Sequence, residues 1–145
     1  MNKKIIFIFF IFITLFAGCG TSNKLLTDEG VDRYELAFLH NKERMIKNLT
    51  QFTINDELQE KAQKWAEYMA KTDKLKHSKI GSPNFGFMGE NIAWGQKDVD
   101  EVIKAWMNSS GHKRNILDHN YTNIGLGYAR MENGMPYWCV QFGGK

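Results

Sequence analysis

TNIGLGYARMENGMPYWCVQF, residues 122 to 142, is the stretch from which the fold is best deduced. Residues alternate with a period of two on both sides of ENG at 132–134, a turn-forming sequence. Two alternating runs joined by such a turn predict a β-hairpin. We expect its strands at residues 122–131 and 136–142.

The residues before this hairpin have helical rather than strand-like periodicity. Apolar residues recur at spacings of three, four and seven over residues 28–48, and a second apolar stripe predicts a helix over 56–72. A third helix is predicted from Asp98, with Glu101 completing a capping box, to about residue 108. Residues 78–89 are expected to form a loop. Helices followed by an antiparallel hairpin indicate an α+β domain.

A corner is expected in NSSGHKRNIL, residues 108–117, because Gly111 would stand inside a helix that continued straight. We predict a turn followed by a short helix, with the missing β-carbon of Gly111 letting another group approach.

The N-terminus, MNKKIIFIFFIFITLFAGCG, has the organisation of an export signal. Its apolar run covers residues 5–16, whereas a helix that crosses a bilayer needs about 20 residues. The small residues before Cys19 resemble a bacterial lipobox, although Phe16 stands where leucine is usual. An ordinary signal peptide with an incidental cysteine is the alternative.

This pattern predicts three segments. Residues 1–18 would be a lipoprotein signal peptide, residues 19–27 a tether that carries acyl chains such as palmitate on Cys19, and residues 28–145 one domain. Of the 19 basic residues two lie in the signal segment, which leaves 17 against 16 acids. A net charge this close to zero does not indicate the basic surface that binding to nucleic acid requires.

Three side chains are candidates for a metal or ligand site. His77 and His112 lie at predicted element boundaries, and Glu90 stands in an apolar segment where a buried carboxylate needs a partner. Two imidazoles and a carboxylate could share a zinc ion. The other two histidines, His40 and His119, are expected to serve packing or lie on the surface.

Six motifs resemble the CAP superfamily, also called SCP/TAPS or the cysteine-rich secretory protein family, in its bacterial SCP-like branch. They occur in the family's order over about 110 residues: HNKER at 40–44, HS at 77–78, GENIAWG at 89–95, AWMNSSGHKRNIL at 105–117, NIGLGYA at 123–129 and YWCVQFGG at 137–144. The resemblance implies an α-β-α sandwich with a central antiparallel sheet and helices on both faces.

The resemblance also implies a cleft. Members of the animal branch have two histidines and two glutamates that can bind zinc, and His77, Glu90 and His112 match three of these four. The fourth position holds Ser109, so one carboxylate is lost. We therefore expect zinc to bind more weakly than it would in a full set.

The implied function is that of a non-catalytic binding or interaction module, for a lipid, a sterol or a host or envelope protein, anchored to the cell envelope. The location favoured is the outer membrane or cell surface. A metal-dependent hydrolase or peptidase with Glu90 as general base is the enzymatic alternative, but HExxH and GxSxG are missing. A purely structural envelope protein is a third possibility. Cys139 has no partner if Cys19 is acylated and is expected to be a small buried hydrophobe.

Overall fold

Four helices and four strands form the fold in the computed structural model, which describes residue 31 and residues 33–145. The predicted signal peptide, Cys19 and the tether lie outside the described residues. None of the described helices is long and apolar enough to cross a bilayer. The elements are α1 (Arg33–Ile46), β1 (Thr53–Ile54), α2 (Asp56–Thr72), β2 (Phe87–Trp94), α3 (Val99–Asn108), α4 (Ser110–Leu117), β3 (Asn123–Arg130) and β4 (Pro136–Gly144).

The predicted hairpin is confirmed as β3 and β4, which pair antiparallel with Gly127 opposite Cys139. On its other side β4 pairs antiparallel with β2, where Glu90 is opposite Gln141. The short β1 lies beside β3 and runs parallel to it, so the four-stranded sheet has the order β1-β3-β4-β2. Three long antiparallel strands therefore form the central sheet, and β1 makes it mixed.

The expectation of a loop over residues 78–89 was wrong at its C-terminal end. β2 begins at Phe87, which pairs with Gly144, so residues 87–89 belong to the sheet. The glycines that suggested a loop are compatible with a strand here because β4 supplies the hydrogen-bonding partners. The sequence of the adjoining segment, Gly89 to Trp94, shows no alternation of apolar and polar residues and so gives no local signal for a strand.

Side chains cap the predicted helices at their starts. Asn55 accepts a hydrogen bond from the backbone N–H of Leu58 at the start of α2, and Asp98 accepts one from Glu101 at the start of α3. The carboxylate of Glu101 in turn accepts from the N–H of Lys97. Glu101 is therefore a capping residue. The predicted start of α1 at residue 28 lies outside the described residues.

Helices cover both faces of the sheet, as the sandwich architecture requires. Along β4, Tyr137 and Cys139 pack in the cluster that includes α2, whereas Trp138, Val140 and Phe142 pack in the cluster that includes the other three helices. This alternation is the period of two that the sequence showed. The family-type fold expected from the motifs is thus the fold observed.

Helix α2 approaches β3 unusually closely because β3 carries glycine at two positions that face the helix. A β-carbon on Gly125 would lie 2.1 Å from the Leu58 carbonyl carbon, and one on Gly127 would lie 2.1 Å from the Ala62 carbonyl oxygen. At this distance Gln59 exchanges side-chain hydrogen bonds with the backbone N–H and carbonyl of Leu126. Gln63 does the same with Tyr128.

Arg44 joins helix α1 to the end of α4. Its fully buried guanidinium donates hydrogen bonds to the backbone carbonyls of Thr50, Ile116, Asp118 and Tyr121 and lies 3.9 Å from the centre of the Phe52 ring. Backbone carbonyls therefore solvate this buried charge, and the negative charge of Asp118 favours it as well.

His40, one turn before Arg44, is part of the core. Its Nδ1 donates to the carbonyl of Leu36 at 2.8 Å, its Nε2 is buried without a hydrogen-bond partner, and its ring contacts Trp106 and Phe142. Burial lowers the pKa of His40 to about 4, and the nearby Arg44 charge contributes in the same direction. The expected packing role of His40 is confirmed.

We expect Gly127→Ala to lower the free energy of unfolding by about 3 kcal/mol or more, because the added methyl would collide with the backbone of α2. Gly111→Ala is the matched control. No atom lies within 4 Å of its added β-carbon, and a helical alanine should raise stability by up to about 1 kcal/mol. Urea unfolding of both variants measures the difference, and similar effects would contradict the close contact.

Acidification should destabilise the fold through His40. Between about pH 6.5 and 4 the unfolded chain protonates this imidazole and the folded chain does not, so the free energy of unfolding should fall as the pH falls. A shift from 6.5 to about 4 corresponds to roughly 3 kcal/mol. Urea unfolding over this range should show a flatter profile for His40→Gln and an unchanged one for His119→Gln in the exposed turn. Equal slopes in all three proteins would exclude His40 as the cause.

Candidate functional site

Glu90, near the middle of strand β2, is the centre of a buried polar network. Its side chain is 2% exposed, and five donor atoms surround the carboxylate. Oε1 accepts from the backbone N–H of Ser78 and from Nδ1 of His77, while Oε2 accepts from the Ser78 hydroxyl, the amide of Gln141 and the thiol of Cys139. Glu90 therefore has the hydrogen-bond donors that a buried carboxylate requires.

His77 lies in the loop between α2 and β2, with 61% of its side chain exposed. Helix α2 ends at Thr72, as the sequence predicts, and Asp73 adopts the left-handed conformation with φ of 49°, so His77 lies within the loop and not at the boundary of an element. His77 is therefore too far from the helix end to interact with its dipole. Nδ1 of His77 lies 2.8 Å from Oε1 of Glu90, so the buried carboxylate orients an imidazole whose other edge faces solvent.

His112 lies in α4, and its ring packs against Trp106 with 6.5 Å between ring centres. Partial burial lowers the pKa of His112, and the charge of His77 lowers it further. The predicted corner is also present: α3 ends at Asn108, Ser109 is extended, and α4 begins at Ser110.

The role expected for Gly111 was wrong. No atom lies within 4 Å of the position that its β-carbon would occupy, so no group approaches the helix there. The corner is formed by the backbone of Ser109, and α4 is held against β2 by a pair of asparagines instead. Asn115 donates to the side-chain oxygen of Asn91 and to the carbonyl of Glu90, and Asn91 donates to the carbonyl of His112.

The structure brings together two of the three predicted metal ligands, His77 and Glu90. Among the described residues no group of three or more His, Cys, Asp or Glu side chains could hold a metal ion. Both oxygens of Glu90 already accept hydrogen bonds, so the carboxylate would have to exchange protein donors for a metal. Ser109 makes no side-chain capping bond and supplies no charge. A zinc ion shared by His77, Glu90 and His112 would require these hydrogen bonds to rearrange, and this site stays a prediction.

Cys139 lies behind Glu90 in the sheet and is fully buried. Burial raises the pKa of its thiol well above the ordinary value, and the negative charge of Glu90, 3.7 Å from the sulfur, raises it further. The expected role of Cys139 as a small buried side chain agrees with this environment.

Sequence reasoning missed four polar residues of the network: Ser78, Asn91, Asn115 and Gln141. Gln141 and Asn91 are both buried within otherwise apolar strands. A polar residue inside an apolar run was the signal available for them, since a buried amide requires partners.

A cavity of about 650 Å³ adjoins this network on the α2 side. Its wall is mostly apolar and includes Trp65 and Tyr68 from α2, His77 and Ile80 from the following loop, and Gln141 from β4. A larger concavity of about 860 Å³ lies by the turn between β3 and β4, and no histidine lines it. The smaller cavity is therefore the one that shares residues with the Glu90 network.

Comparisons with known proteins agree with this architecture. The model of the family described as CAP, cysteine-rich secretory protein family, matches residues 38–142. The Bacillus subtilis protein named Uncharacterized protein YkwD is 38% identical over 138 residues, which cover 86% of this chain and 52% of that protein. The chain therefore spans about half the length of this relative.

Two solved structures show the same fold. An outer surface protein from Borrelia burgdorferi superimposes with a TM-score of 0.69 and 22% identity over 77% of this chain and 91% of that one. An extracellular protein containing a SCP domain from Bacillus anthracis str. Ames superimposes with a TM-score of 0.66 and 23% identity over 77% of this chain and 40% of that one.

The fold is an α-β-α sandwich of the kind found in a bacterial outer surface protein and a bacterial extracellular protein. With the family model matching most of its length, the chain belongs to the cysteine-rich secretory protein (CAP) family. It is a CAP-domain protein of the bacterial type.

Proposed function

We propose that this protein is an exported, lipid-anchored binding module that takes an apolar ligand in the cavity beside the His77–Glu90 pair. The observation that supports this most directly is the cavity itself, about 650 Å³ in volume and lined mainly by apolar surface. Small-molecule sites in proteins are of this size and are lined mainly by apolar and aromatic groups, with a few polar groups that orient the ligand.

The contacts of Glu90 favour binding over catalysis. A general base needs a lone pair that can reach the proton of a substrate or water, and a carboxylate enclosed by five protein donors has little capacity left. Glu90 instead fixes the orientation of His77. Zinc held by His77, Glu90 and His112 remains a prediction, and no step of this proposal depends on it.

Export is supported by the outer surface and extracellular proteins among the structural relatives. The anchoring itself rests on the sequence around Cys19, where small residues precede the cysteine at the end of an apolar run. Acyl chains on this residue would hold the domain at a membrane, since each buried methylene contributes about 0.8 kcal/mol. An outer-membrane or cell-surface position belongs to the same proposal.

Labelling with palmitate tests the anchor. Cells grown with labelled palmitate should incorporate the label into the wild-type protein and not into Cys19→Ser, because only an acylated cysteine carries the chain. Cys139→Ser is the control and should remain labelled. Equal labelling of the wild type and Cys19→Ser would refute anchoring at this residue.

A titration with 1-decanol tests the ligand site. Residues 20–145, which contain all the described elements, should bind this neutral amphiphile in calorimetry, and Trp65→Ala should weaken binding about fivefold or more because aromatic contact area is lost. Trp94→Ala is the matched control, since Trp94 is 50% exposed on β2 and does not line the cavity. Absence of binding, or equal loss in the two variants, would reject this cavity as the site.

A further inference from the structure

We propose that the ligand of the cavity carries a negative charge, which Lys76 and Lys79 recognise at the rim. This inference rests on the proposed function and adds the chemical class of the ligand: an amphiphilic anion, with one carboxylate, sulfate or phosphate group on an apolar body.

The apolar part of the site is an aromatic pair on the surface of α2. The rings of Trp65 and Tyr68 stack with 4.8 Å between their centres and 18° between their planes. The indole N–H of Trp65 donates to the carbonyl of Lys76, which fixes the loop against the helix. Tyr68 and Ile80 are 38% and 40% exposed, so apolar area is available to a ligand.

Two of the four lysines that line the cavity have no ion-pair partner among the described residues. Lys61 and Lys64 also line the cavity, but each is paired along the helix, with Glu57 and Glu60 respectively. Lys76 and Lys79 form no ion pair with a described carboxylate.

Lys76 is held next to the aromatic surface. Its Nζ lies 5.0 Å from the centre of the Tyr68 ring and 5.8 Å from that of Trp65. No carboxylate is among the described side chains that line the cavity. The rim is therefore a positively charged edge beside an apolar floor, an arrangement complementary to an anion with an apolar body.

Two sources can supply such a ligand: a free amphiphile, or the anionic headgroup and adjoining chain of a phospholipid. The recognition chemistry is the same for both, and a monomeric probe and a vesicle separate them.

Comparison of decanoate with 1-decanol tests the charge. The two probes share the apolar chain and differ in the head group, so at pH 8 and low salt the wild type should bind decanoate about three- to tenfold more tightly, the range expected for one or two partly exposed ion pairs. The double variant Lys76→Gln, Lys79→Gln should lose this preference and still bind decanol. The control double variant Lys42→Gln, Lys104→Gln removes two exposed lysines that do not line the cavity. This variant should keep the preference for decanoate.

The outcomes separate this inference from the function on which it rests. If the wild type binds decanol and decanoate equally, or if the preference survives in the Lys76, Lys79 double variant, the cavity binds apolar ligands but the inference is wrong. If neither probe binds, the proposed function itself fails.

Sedimentation with vesicles identifies the source of the anion. Binding of residues 20–145 to phosphatidylglycerol vesicles but not to phosphatidylcholine vesicles, lost in the Lys76, Lys79 double variant, would support the inference with a lipid headgroup as the ligand. Binding of decanoate without binding of vesicles would support it with a free amphiphile. Vesicle binding that the double variant retains would count against these lysines as the recognition site.

Discussion

The close contact between helix α2 and strand β3 is the constraint on which the rest of the structure depends. Beyond Ile124 the outer edge of β3 has no neighbouring strand in the described sheet, and Gln59 and Gln63 provide the missing partners from the helix. Helix side chains can take the place of a neighbouring strand only because residues 125 and 127 are glycine, since a β-carbon at either position would meet the helix backbone. The helix thus completes and protects a sheet edge that would otherwise be open to pairing with another chain.

The candidate site follows from this arrangement. With α2 fixed on the sheet, the loop after Thr72 must pass over the strand pair β2 and β4 to reach Phe87, and it carries His77 and Ser78 onto Glu90 on the way. The same loop and the outer side of α2 enclose the cavity. The placement of α2 on the sheet therefore determines the positions of both the polar network and the apolar surface next to it.

Much of the fold could be predicted from the sequence because its signals are local. The alternation around residues 132–134 gives the hairpin, and Asp98 with Glu101 gives the start of α3. Strand β2 could not be recognised in this way, since it is buried on both faces and depends on β4 for its partners. For the site, Glu90 and His77 could be paired through motifs, whereas the roles of Asn91, Asn115 and Gln141 depend on contacts between residues far apart in the chain.

The buried, unpaired thiol of Cys139 bears on the redox chemistry that folding of this domain requires. The family is named for its cysteines, yet this thiol is free, enclosed beside Glu90 and kept in its neutral form. No described element is joined to another by a sulfur bridge, so the native state of this part of the chain needs no oxidant. Folding of the described part of the chain therefore does not depend on forming a disulfide.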